Sequence, residues 1–161
     1  SAFPQREGFT DLIQVFKTSR ETPAWTTATC QKERYLWFSF KDASLLPSTV
    51  FWISNKGRHG YPWNGRNRCL GLEETCSYFA EGTDASGAPN EISDAGFSTA
   101  VQFSETQPTM VNLIQGAIKI PDGFEQVKDV RFDKGKVTFV SITDIEAYVS
   151  IDWNFLSRRS F

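Results

Sequence analysis

The sequence predicts an all-β protein, an antiparallel β-sandwich, and three observations lead there. Short runs rich in Val, Ile, Thr and aromatic residues recur along the chain between polar, Gly- and Pro-containing breaks. Where such a run is long enough, apolar and polar residues alternate with a period of two. The aromatic content is high, with Trp 5 and Phe 14, and aromatic side chains suit the pleated surface of a sheet. No internal repeat, low-complexity tract or interdomain linker interrupts the 161 residues, so one sandwich domain over 1–161 is expected.

In chain order, Asp11–Thr18 and Ala24–Cys30 are strand-like, mixing Thr with aliphatic or aromatic residues. Glu33–Lys41 alternates well, with Leu36, Phe38 and Phe40 on one face and Tyr35, Trp37 and Ser39 on the other. Both faces are largely nonpolar, which predicts a strand buried between two layers. Asp42–Ser48 contains Pro47 and reads as a connection. Thr49–Ser54 is another strand, and Asn67–Glu74 follows it after a loop. The stretch Glu81–Pro89 has loop chemistry. Asn90 can cap a short helix over Glu91–Ala95, with Gly96 as its stop. Strands are expected again at Thr99–Ser104 and Thr109–Ile120, and Pro121-Asp122-Gly123 makes a turn. The clearest hairpin pairs Phe124–Phe132 with Val137–Ile142 around Asp133-Lys134-Gly135-Lys136, where Asp and Gly tolerate the left-handed backbone of a tight turn. Ile145–Asp152 is the last strand and Asn154–Phe161 a tail.

Bulk properties exclude several functions. The chain is 40% hydrophobic and 22% charged, enough for a real core. A net charge of -2 leaves no basic footprint for nucleic acid. Arg158-Arg159 reads as a solvated end. No apolar run approaches the roughly 20 residues of a membrane helix, and the N-terminus lacks the apolar core of a signal peptide. Cys30, Cys69 and Cys76 have no zinc-site spacing, and one His is present, so no metal or other cofactor is expected. Reduced thiols in a cytoplasmic protein are the expectation. The sole methionine is Met110, so a processed chain or a piece of a longer one is also expected.

Chemistry is concentrated between Trp52 and Glu74. This strand–loop–strand stretch holds the only histidine, His59, together with Arg58, Arg66, Arg68, Trp52, Trp63 and two carboxylates. Loops carried on strands are common seats of binding. By alternation Cys69, Gly71 and Glu73 share one face, while Leu70, Leu72 and Glu74 share the other, and the leucines mark the core side. Glu73 then stands beyond a glycine, which in a strand often marks close approach of a ligand. The plainer alternative is a strand-end glutamate facing water, and the same alternative applies to Glu74. Were Glu74 within a few Å of Glu73, one of the pair would be a better base near neutrality. His59 could move protons or be an ordinary surface residue. Arg58 and Arg66 offer forked donors to hydroxyls or carboxylates, or salt bridges. Trp63, after Pro62, is a stacking platform or a plug at the core edge.

Leu70-Gly71-Leu72-Glu73, preceded by Val50-Phe51-Trp52-Ile53, resembles the galactose-mutarotase-like superfamily, the aldose 1-epimerases and their relatives. Asn90-Glu91-Ile92-Ser93-Asp94-Ala95-Gly96, then Thr99–Phe103 and Gln115-Gly116-Ala117-Ile118, is similar to the tail of bacterial members. The likeness runs from the middle of the chain to near its end, and the combination carries it. It implies part of a β-supersandwich in which Glu73 takes the anomeric proton while a His protonates the ring oxygen. The acid has no counterpart here, because the family's His motif lies in the N-terminal half of a longer chain. The resemblance therefore implies a C-terminal half that self-associates or pairs with an N-terminal half of the same protein.

Three functions are compatible with these features. The first is an aldose 1-epimerase-like protein with Glu73 as base and Arg58, His59, Trp63, Arg66 and Glu74 around a small-molecule sugar. The second is a non-catalytic carbohydrate-binding module using Trp63, Tyr61 and Arg58. The third is a structural or interaction domain whose aromatics are all core. None needs nucleic acid or a membrane.

Overall fold

The computed structural model describes residues 3–4, 6–18 and 23–158. Arg159 and the end of the expected tail lie outside them. The described residues form β1 (Phe9–Phe16), β2 (Ala24–Cys30), β3 (Tyr35–Lys41), β4 (Ser48–Asn55) and β5 (Arg68–Thr75). Then come the short helices α1 (Thr83–Gly87) and α2 (Glu91–Asp94). Strands β6 (Leu113–Lys119), β7 (Val127–Asp133), β8 (Lys136–Ser141) and β9 (Glu146–Ser150) lead to a 3-10 helix, Trp153–Ser157. The strands make three antiparallel sheets, ordered β1-β4-β5, β2-β3-β6 and β7-β8-β9. The fold is all-β, as the periodicity predicts.

The chain divides into two compact units, each built from two separated stretches. The first takes Ser1–Ser19 and Ser44–Gln102, the second Arg20–Ala43 and Phe103–Phe161. The crossings at Ala43–Ser44 and Gln102–Phe103 have no Gly- or Pro-rich linker composition, so no break in composition marks them.

The second unit is a small sandwich. Leu36, Phe38 and Phe40 of β3 are buried with Val127 and Val130 of β7, Val137 and Phe139 of β8, and Ala147 of β9. The rings interlock: Phe38 lies 4.9 Å from Phe40 and 5.2 Å from Phe139 between centroids. Such offset and tilted pairs add about 0.5–1.5 kcal/mol each beyond area burial. The other face of β3 runs from exposed Tyr35 through half-buried Trp37 to buried Ser39. The β7–β8 hairpin closes with Asp133 opposite Lys136 and Gly135 at φ 72°. Trp153 donates its indole N–H to the Asp133 carbonyl at 2.6 Å, which fixes the 3-10 helix beside that turn.

The first unit is built differently. Its sheet has β4 in the centre, and Val50 is the one apolar side chain buried there among the described residues. Apart from Pro47 just before β4, the other buried residues of the unit are polar: Ser48, Thr49, Ser54, Asn55 and Thr99. Gln14 ties β1 to the segment after β5, donating to Ser48 Oγ and the Ser77 carbonyl while accepting from the Phe79 amide. Asn90 caps α2 as expected, with Ser93 completing a capping box.

Three local expectations fail for identifiable reasons. Thr99–Ser104 forms no strand, because Thr99 is tied to the helices through the Ser86 carbonyl and Asn90 Nδ2. The strand expected from Thr109 starts at Leu113, just after Asn112, whose side-chain Nδ2 is anchored to the Phe155 and Arg158 carbonyls. The stretch read as loop over Glu81–Pro89 contains α1, one helical turn with no side-chain cap.

Candidate functional site

The loop between β4 and β5 is held by its own backbone. The Lys56 amide donates to Asn67 across its base at 2.7 Å, and the Gly65 amide donates to Arg58 at 2.7 Å within it. Trp63 and Asn64 both donate to the Gly60 carbonyl, making the tight turn that Asn64-Gly65 predicts. Lys56, Asn64 and Gly65 take left-handed backbone, and the Tyr61–Pro62 bond is cis. At the loop's foot, Gly57 passes directly over β1: a Cβ there would stand 2.5 Å from the Phe9 carbonyl carbon. Only glycine permits that crossing.

Register decides what meets on the sheet. Trp52 lies opposite Gly71, and Val50 opposite Glu73, so these four share a face. A Cβ added to Gly71 would come 3.2 Å from Trp52 Cβ and 3.4 Å from both Trp52 Cε3 and Glu73 Oε1. The space above Gly71 is therefore taken by the indole and the carboxylate. This corrects the expectation of a floor cleared for a ligand: the glycine makes room for Trp52. The indole is in turn framed by Trp63, edge-on at 5.5 Å, and by the Arg58 guanidinium, 5.5 Å from its ring centroid.

Glu73 is exposed, and neither it nor Arg58 enters an ion pair among the described residues. Glu74 departs from its expected solvent position. It is half-buried and accepts a hydrogen bond from Thr49 Oγ1 at 2.7 Å on the opposite face, so it cannot form a carboxylate pair with Glu73. Leu70 also corrects the division into core and solvent faces, because it is 39% exposed. Ile13 and Val15 of β1, on the same face by register, are exposed as well, so this face of the sheet is partly open.

His59 is exposed and packs against the turn, where a Cβ on Gly65 would come 3.1 Å from its Nδ1. It makes no ion pair with Glu73 among the described residues. Arg66 braces the loop by donating from Nη2 to the Pro62 carbonyl at 3.2 Å. Tyr61 stands out at the loop tip, 91% exposed. The expected residues thus separate. Arg58, Trp63 and Glu73 gather on Trp52, whereas His59 and Arg66 serve the loop and Glu74 the sheet register. Trp52 itself was not among the expected contacts. Its significance depends on standing opposite Gly71, which only the strand register reveals.

Cys30, Cys69 and Cys76 are free thiols. Burial pushes the Cys76 thiol up from its ordinary range, making it a poor nucleophile. Among the described residues no cluster of His, Cys, Asp and Glu is suited to hold a metal ion, and no helix is long and apolar enough to cross a membrane. No family model matches the chain, and comparisons with curated proteins and with solved structures give no match.

Proposed function

We propose that this protein binds a sugar on the β4–β5 unit, with Trp52, Trp63 and Arg58 as the contact surface and Glu73 as the carboxylate that receives hydroxyl protons. One observation carries this: an indole framed by a second indole, with a guanidinium and a carboxylate beside it that enter no ion pair among the described residues. A pyranose offers apolar C–H faces to an aromatic ring and hydroxyls to charged groups at its edge, and this arrangement supplies both. Charge-assisted bonds to hydroxyls are stronger than neutral ones.

Anomer interconversion is the catalytic extension of the same reading. Glu73 would take the anomeric proton, and a separate acid would protonate the ring oxygen as the ring opens. His59 is turned toward Gly65, so the acid belongs to residues other than those gathered on Trp52. Binding is consequently the better supported half of the proposal. The half-open faces of the β1-β4-β5 sheet support a partner layer, from a second copy or from an N-terminal half of the same protein. A reducing, cytosolic setting belongs to this reading too, supported by the three free thiols.

Titration of the full chain with a sugar panel, followed by tryptophan fluorescence, tests binding. Trp63→Ala should weaken it, and flat titrations across the panel would overturn the proposal. NMR exchange of aldose anomers tests the catalytic extension, because acceleration that survives Glu73→Gln removes Glu73 as the base. Light scattering tests the partner layer: a strict monomer, with no second polypeptide on a denaturing gel, would count against it.

A further inference from the structure

The face of the β1-β4-β5 sheet turned away from Trp52 has its own pattern. By register, Asp11, Ile53 and Leu70 form one row across it, Ile13, Phe51 and Leu72 the next, and Val15, Thr49 and Glu74 a third. Six of these nine side chains are apolar and none of the six is buried: Ile13, Val15 and Leu70 are exposed, and Phe51, Ile53 and Leu72 half-buried. The ends of the face are polar and already bonded. Asn55 holds the Pro4 and Arg6 carbonyls at one end, and Thr49 donates to Glu74 at the other. An apolar patch of about 300–600 Å² is ordinary on a monomer, so the charges beside it decide what it is for. Asp11 stands on one edge strand, and Arg68 on the other, one row nearer Asn55. Both are exposed, and neither enters an ion pair among the described residues. Asp11 accepts from the Leu12 amide through Oδ1 and keeps its second oxygen for a donor.

We infer that this face is a homodimer interface, in which two copies stack their β1-β4-β5 sheets about a two-fold axis running along β4. This rests on the partner layer proposed above and names both the partner and the surface. Such an axis sets β4 on the partner's β4 and β1 on the partner's β5, with the sheet ends in step. Phe51 and Ile53 then meet their own counterparts, and Ile13 meets Leu72 of the partner subunit. Asp11 comes beside Arg68 of the partner subunit, and the symmetry repeats that pair, so two charges unmatched in one copy become two ion pairs. An axis across the strands fits worse, because it sets Asp11 on the partner's Val15 and Leu70 on the partner's Glu74. The open rows cover about 20 Å by about 14 Å, roughly 300 Å² a side, against about 800 Å² a side in a standard complex. Arg6, 5.9 Å from the Phe9 ring centroid, adds positive charge at the Arg68 end. The dimer is therefore weak and reversible, and it leaves Trp52 and Glu73 on the outer face.

The test is sedimentation velocity of the full chain from about 1 µM to about 1 mM, the range in which an interface this small associates. The average mass should rise toward that of two chains. Leu70→Lys should weaken association about tenfold or more, as loss of a buried leucine allows, with circular dichroism showing that it folds. Asp11→Arg and Arg68→Asp should each stay monomeric alone, since each sets like charges together. Mixed with one another they should associate, because every cross-pair is then of opposite sign; high salt should weaken that mixture. Association that survives Leu70→Lys and both charge variants overturns this inference and leaves the partner layer to other residues. So does a second polypeptide that co-purifies with the chain and is released by Leu70→Lys, because another chain then holds this face. A monomer at about 1 mM, with no second polypeptide present, overturns this inference and the partner layer together.

Discussion

Replacing Gly57 with Ala places a methyl group where the backbone of β1 already runs. Its Cβ would lie 2.5 Å from the Phe9 carbonyl carbon, 2.7 Å from that residue's oxygen and 2.7 Å from the Thr10 nitrogen. Backbone atoms cannot rotate aside as a side chain can, so either the β4–β5 loop lifts or the start of β1 shifts. Overpacking of this kind costs about 1–3 kcal/mol. The shift also endangers the Gly8–Asn55 and Lys56–Asn67 backbone bonds, at 2.8 and 2.7 Å, each worth about 1 kcal/mol net. Against this, Gly→Ala stiffens the unfolded chain by about 0.4–1 kcal/mol. The balance is a loss of about 2–4 kcal/mol. In a chain of this size that lowers the melting temperature by about 4–16 °C. Gly60→Ala is the internal control, three residues along in the same loop: nothing lies within 4 Å of its added Cβ, and its φ is not positive. Thermal melts followed by tryptophan fluorescence and circular dichroism should separate the two variants, and under the proposed function the Gly57 variant should also bind sugar more weakly as Arg58 and Trp63 are displaced. If the two variants melt together, the close crossing at Gly57 does not constrain the loop.

Other consequences can be checked with the same material. Phe40→Ala empties a fully buried position touching Phe38, Phe132 and Phe139 and should cost about 3–5 kcal/mol by urea unfolding; a near-neutral effect would mean the sandwich core is not packed as described. Asn90→Ala removes the cap on the Ile92 and Ser93 amides and the bonds to Ala88 and Thr99. It should cost about 1–2 kcal/mol, with faster amide exchange confined to 83–99. Glu7 has a depressed folded pKa because of Lys56, so its contribution is present above the unfolded value and fades as pH falls through the folded one. Its side-chain NMR titration should move up toward the free-glutamate value in Lys56→Gln, while an unmoved midpoint would exclude the ion pair as the cause.

Much of the fold is legible in the residues because the signals are local. β2 falls on Ala24–Cys30 as expected, and the Phe38/Phe40 face of β3 is the core. The Asn90 cap and the Gly135 hairpin follow from single-residue chemistry that needs no tertiary context. The expectations that fail depend on distant partners. Thr99 looks like a strand residue until Ser86 and Asn90 claim its hydroxyl. Leu70 looks like core until it proves exposed, together with Ile13 and Val15 on the same face. At the site, alternation correctly puts Glu73 with Gly71 and away from Glu74, but it cannot say what fills the space over Gly71. That depends on the register with β4, a pairing between residues nineteen positions apart in sequence.

Glu74 gains a role from the same register. A strand paired one residue out of step turns every side chain to the other face. In β5 such a slip would exchange Glu73 with Glu74 and carry the exposed carboxylate away from Trp52. An apolar core normally forbids this, yet the first unit buries little apolar area, Val50 apart. Polar contacts replace it: Thr49 donates to Glu74 across the β4–β5 pair, Ser48 Oγ donates to the Thr75 carbonyl at 3.1 Å, and Asn55 Nδ2 donates to the Pro4 and Arg6 carbonyls at 2.9 Å each. Hydrogen bonds are directional where apolar contacts are not, so a few at fixed positions specify one register even in a thin sheet. Glu74 is thus the residue that keeps Glu73 on the indole face. If the proposed sugar site holds, removing Glu74 should weaken binding through the displacement of Glu73.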